Sequence, residues 1–133
     1  MNINIQIGIG ESFDRLTILE IKNEKMSDPQ KLKNIEKELQ YMRDMVAHLP
    51  KFDLEKDNAN VQKLVSQLKM INEMLWSVED ELREKERKQE FDSDFIILAR
   101  NVYFNNDKRA EIKKQINLAY GSEFIEEKSY AKY

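Results

Sequence analysis

An all-α fold is what the sequence predicts: an antiparallel bundle of about four long helices, with a short N-terminal β-strand and an extended C-terminal tail. Three observations carry this expectation. Two long stretches place apolar residues at alternating steps of three and four, the spacing of helices that pack along a seam as in a coiled coil. Three glycines and two prolines in 133 residues leave little material for the turns of a sandwich or barrel. Charged residues make up 35% against 41% hydrophobic, a balance that suits long solvent-facing helices. Residues 1–133 are expected to form one domain, since a chain of this length can bury a sufficient core without a staple.

Ile3, Ile5, Ile7 and Ile9 alternate with Asn2, Asn4, Gln6 and Gly8, which predicts a strand over the first nine residues. Its backbone needs a partner, either the stretch Glu123–Ile125 or the same strand of a second copy. A first helix follows from Glu11 to about Met26, with Phe13, Leu16, Ile18, Leu19 and Ile21 spread round more than one face. Asp28 as cap and Pro29 at the first helical position start a second helix. Its seam is Leu32, Ile35, Leu39, Met42, Val46 and Leu49, and Pro50 ends it. A loop is expected from Lys51 to about Lys56. The third helix carries the longest seam, Val61, Leu64, Leu68, Ile71, Leu75, Val78 and Leu82. Asp92 or Ser93 caps a fourth, with Phe95, Leu98, Val102, Ile112, Ile116 and Ala119 inside and Gly121 as its stop. Asn105 and Arg109 interrupt that last seam, and Asn105-Asn106-Asp107 is also a favourable place for a helix to stop and restart.

Composition excludes several function classes. Without cysteine there is no disulfide, thiolate nucleophile or Cys-ligated metal within this chain. The N-terminus lacks the pattern of a secretory signal, and nowhere do about 18 apolar residues run together, so a cytoplasmic protein without membrane contact is expected. A net charge of −3 provides no general field toward nucleic acid, which is not expected as a partner. The basic run Arg100 to Lys114, with Tyr103 and Phe104 interleaved, reads more simply as a solvated helix face. One histidine, His48, builds no multi-His site, and the three glycines form no phosphate loop.

The remaining candidates for chemistry are polar residues near the seams. Glu20 and Glu24 share a face of the first helix, while Glu79, Asp80 and Glu84 crowd the end of the third. Carboxylates at such spacing on neighbouring helices can hold Mg²⁺, although a solvated, ion-paired face is the simpler reading in so acidic a chain; no metal site is expected. Glu79 flanks the seam beside Trp76, the sole tryptophan, which can plug a junction with its indole N–H on Glu79 or a carbonyl. Arg109 on an inner seam needs a partner such as Asp14, Glu20 or Glu79. The sharper alternative is an anion site of Arg109, Asn105 and Arg100. The candidate polar site is therefore Glu20, Glu79, Arg100, Asn105 and Arg109, with no catalytic residue assigned.

The elements LTILEIK (Leu16–Lys22), LWSVEDELRE (Leu75–Glu84), FIILARNVYFNNDKRAEIKKQIN (Phe95–Asn117) and GSEFIEEKSY (Gly121–Tyr130) together resemble an uncharacterised family of short helical proteins of bacteria and their phages. The resemblance implies a common fold and no reaction. It carries Asp14, Glu20, Trp76, Glu79, Asp80, Arg83, Arg100, Asn105, Asp107, Arg109 and the tail residues Glu126, Glu127 and Lys128 as signature positions. A fainter likeness to helical chorismate mutases rests on Arg15 and Lys22 and lacks a downstream partner set. The leading expectation is a helical interaction, scaffold or regulatory binding protein, associating as a homodimer or with a protein partner. The alternative is a small helical enzyme acting on a phosphorylated or carboxylated metabolite, either similar to the Mg²⁺-dependent nucleotide pyrophosphohydrolases or, more remotely, to chorismate mutase.

Overall fold

The computed structural model describes residues 1–49 and 55–133. Its helices are α1 (Ile9–Lys25), α2 (Pro29–Ala47), α3 (Glu55–Lys88) and α4 (Ser93–Tyr120). The expected loop at Lys51 lies largely outside the described residues. α1 packs on the other three helices, and α3 packs along α4.

Local chemistry explains most of the boundaries. The Asp28 carboxylate accepts from the amides of Gln30 and Lys31, both at 3.0 Å, and Pro29 opens α2 without forfeiting a bond. Asp92 accepts from Phe95 N at 3.0 Å to start α4. α4 is continuous through Asn105-Asn106-Asp107 and closes at Gly121, whose left-handed φ of 62° lets Ser122 N reach Asn117 O at 2.8 Å.

α1 begins differently. Gly8 offers no capping side chain, and the first amides find partners from the far end of the chain instead: Ile9 N donates to Ser122 Oγ at 3.1 Å and Gly10 N to Asn117 Oδ1 at 2.7 Å. The start of α1 also lies close against the α4 backbone. A Cβ on Gly10 would stand 2.3 Å from Lys113 O, so only glycine fits there.

The core gathers Phe13, Leu16 and Leu19 of α1, Ile35, Leu39 and Met42 of α2, Leu64 and Leu68 of α3, and Ile116 of α4. Hence the expected seams of α2 and α3 do face inward. Burial is uneven along the α3–α4 pair, however. After Leu75 on α3 and before Asn105 on α4 no described residue is buried, and the seam residues Val78, Leu82, Phe95, Leu98 and Val102 stay half-exposed. That part of the pair has only two helices to bury its apolar seam.

The expected N-terminal strand is not formed. Residues 1–8 carry no strand, and no strand occurs among the described residues. Ile3 and Ile5 are 84% and 62% exposed, because a period-two apolar pattern yields a strand only where another edge accepts its backbone. The C-terminal stretch holds the start of α1 through Ser122 and Asn117, not through a β-ladder. Beyond Gly121 the tail runs without regular structure along α4, with Glu126 on Lys113 at 3.1 Å, Glu127 on Lys114 at 3.3 Å, and the Tyr133 hydroxyl on the Asp107 carboxylate. Tyr133 also meets the rings of Tyr103 and Phe104 edge-on.

Candidate functional site

Asp14 projects from α1 into the junction with α3 and α4 and is 1% exposed. Its Oδ1 accepts from Arg109 Nε and from Asn72 Nδ2, both at 2.9 Å; its Oδ2 accepts from Arg109 Nη2 at 2.5 Å and has Lys113 Nζ at 3.7 Å. The Asn72 amide also donates to Thr17 Oγ1 at 3.0 Å, and that hydroxyl donates back to Asp14 O at 2.9 Å. Burial pushes the Asp14 carboxyl up, but the bonds from Arg109 and Asn72 and the nearby charges outweigh it and hold the pKa below the ordinary value. An acid so held stays ionised near neutral pH and is unsuited to exchanging protons. It orients Arg109 instead.

The network continues outward. Lys113 binds Glu11 at 2.6 Å and Glu126 at 3.1 Å, and Glu126 also binds Lys128 at 2.6 Å. Lys128 and Lys113 together lower the Glu126 pKa to about 2. Burial pushes Lys113 down, yet Glu11 and Glu126 raise it above the ordinary lysine value. Charges on α1, α4 and the tail are thereby tied to one buried carboxylate.

Beside this junction a cleft of about 430 Å³ opens between α1, α3 and α4. Ile18 and Ile21 of α1, Asn72, Leu75, Trp76, Glu79, Asp80 and Arg83 of α3, and Asn106 and Arg109 of α4 line it. Trp76, Glu79, Asp80 and Arg83 follow the spacing of one helix face, which is why α3 presents them together. Arg83 Nη1 binds Glu79 Oε2 at 2.8 Å. Trp76 is half-exposed, and neither Glu79 nor a carbonyl takes its indole N–H among the described residues.

Of the sequence candidates, Glu79 and Arg109 meet in this cleft, and Arg109 has chosen Asp14 among its three possible partners. Glu20 lies elsewhere, sharing Lys69 of α3 with Glu24 at 3.3 and 2.7 Å. Arg100 rests over the Phe104 ring, 5.6 Å from its centroid, and Asn105 is buried with its amide on Asn101 O at 2.8 Å. Arg100 and Arg109 cannot share an anion on a continuous helix, because their spacing puts them on opposite faces. Glu126, Glu127 and Lys128 belong to the tail contacts. No group of three or more acidic or histidine side chains among the described residues is placed to hold a metal.

Three residues of the site escaped sequence reasoning. Thr17 sits inside an apolar stretch, Lys113 inside a basic run, and Asn117 beside Ile116, so each reads as an unremarked member of its helix. For Thr17 and Asn117 a small polar residue beside buried apolar ones was the available signal; Lys113 had none. No family model, curated protein or solved structure matches this chain.

Proposed function

We propose that this chain is a helical interaction protein that assembles with a second copy of itself through the side of α3–α4 that α1 leaves uncovered. The supporting observation is an apolar groove there. Met70 and Met74 lie on the side of α3 away from Asn72, which faces α1, and they are 62% and 51% exposed. With Ile71 and Ile112 they floor a groove of about 570 Å³ whose rim is Gln67, Asp107, Lys108 and Glu111. Ile97, 55% exposed, projects from the two-helix part of α4.

An occupant of the same kind suits this surface on three grounds. The α3–α4 pair buries its seam incompletely, and two such pairs face to face form a four-helix arrangement that covers it. The rim carries both signs, so a two-fold pairing can set Lys108 of one copy against Asp107 or Glu111 of the other. Methionines on both sides adapt to each other's shape.

Because the chain has no cysteine, Met74→Cys introduces a single thiol that a short bis-maleimide can bridge across the interface. Covalent dimer is expected from Met74→Cys and not from Tyr41→Cys on α2. Equal yields from the two variants, or none from Met74→Cys, contradict the assignment.

A further inference from the structure

The cleft on the α1 side is a separate feature, and the geometry points to a site for one uncharged sugar ring held between Trp76 and Asp80. Charge decides the class. Arg83 is paired with Glu79 and Arg109 with Asp14, while Asp80 has no ion pair among the described residues. A phosphate would meet two guanidinium groups already neutralised and a free carboxylate beside them, and a metal ion would find too few ligands.

What the cleft offers is donors and acceptors on one lining. Asp14 occupies the Nε and Nη2 edge of Arg109, leaving the Nη1 and Nη2 end, where the Asn106 amide oxygen stands at a long 3.4 Å. Asp80 accepts and Arg109 donates, which is what a hydroxyl pair requires, since each hydroxyl can give one hydrogen bond and take others. A sugar ring also has an apolar C–H face, matched by the indole of Trp76. About 430 Å³ is ample for one ring. A free monosaccharide and the end ring of a glycan present the same chemistry.

Trp76 is the only tryptophan, so its emission reports this cleft alone. The full chain is titrated with methyl glycosides of glucose, galactose, mannose and N-acetylglucosamine, with glycine and inorganic phosphate as contrasts. At least one glycoside is expected to shift the emission saturably in the millimolar range. Asp80→Ala, with its helical circular dichroism unchanged, is expected to weaken that binding about tenfold or more. The disaccharides of the responding sugar separate the sources, binding tighter than the single ring where a glycan is the ligand. No saturable response to any glycoside, a response to glycine or phosphate alone, or undiminished binding by Asp80→Ala overturns the proposal.

Discussion

Arg109 grips Asp14 through Nε and Nη2 at 2.9 and 2.5 Å, a forked ion pair that joins α4 to α1 at the edge of the cleft. Removing the guanidinium leaves a carboxylate that is 1% exposed with only the Asn72 amide and the more distant Lys113 ammonium. Arg109→Ala is therefore expected to cost about 3–5 kcal/mol in urea unfolding. Replacing both partners, as Asp14→Leu with Arg109→Met, is expected to cost less than Arg109→Ala alone, since no buried charge is left unpaired. A larger loss in the double variant contradicts this account of the pair.

The close approach of α1 and α4 is equally specific. Gly10→Ala places a methyl carbon 2.3 Å from Lys113 O, backbone that can yield only if the helices separate. A loss of about 1–3 kcal/mol is expected, read from the urea midpoint. An unchanged midpoint means the approach is looser than the geometry gives.

Acid is expected to release the tail. Glu126 is held at about 2 by Lys128 and Lys113, below the roughly 4.3 of an unfolded glutamate. Its folded pKa is depressed, so the stabilisation is present above the unfolded value and is lost as pH falls through about 2. Asp14 shifts in the same direction. Tail amide resonances followed by NMR through this range should move toward free-chain positions, and Glu126→Gln should move them already at neutral pH. Tail resonances unmoved throughout the range refute the prediction.

Ile5→Pro is expected to change stability by less than about 0.5 kcal/mol, because Ile5 is exposed and belongs to no ladder. A loss well beyond that would restore the strand.

These contrasts show what the sequence could reveal. Heptad spacing marked the inner faces of α2 and α3 because a helix needs no distant partner for its backbone, and Asp28, Asp92 and Gly121 marked ends that are settled locally. The N-terminal isoleucines misled for the opposite reason: a strand depends on an edge elsewhere, and the donors of Ile9 and Gly10 went to Ser122 and Asn117 instead. That Glu79 flanks the seam of α3 beside Trp76 was legible from spacing, whereas Asp80 read as part of a solvated face and joins them only in the cleft. That Arg109 would join them with Asp14 behind it depends on the packing of α1 against α4, which no local pattern encodes, whereas Arg100 turning away follows from helical spacing once α4 is continuous.

Sedimentation equilibrium reads self-assembly of the chain without any label or cross-link. The wild-type chain should sediment at twice its own mass and dissociate on dilution, whereas Met70→Lys with Met74→Lys should remain a single chain of unchanged urea stability. Wild-type protein at the mass of one chain across the whole concentration range would contradict assembly through the methionine groove.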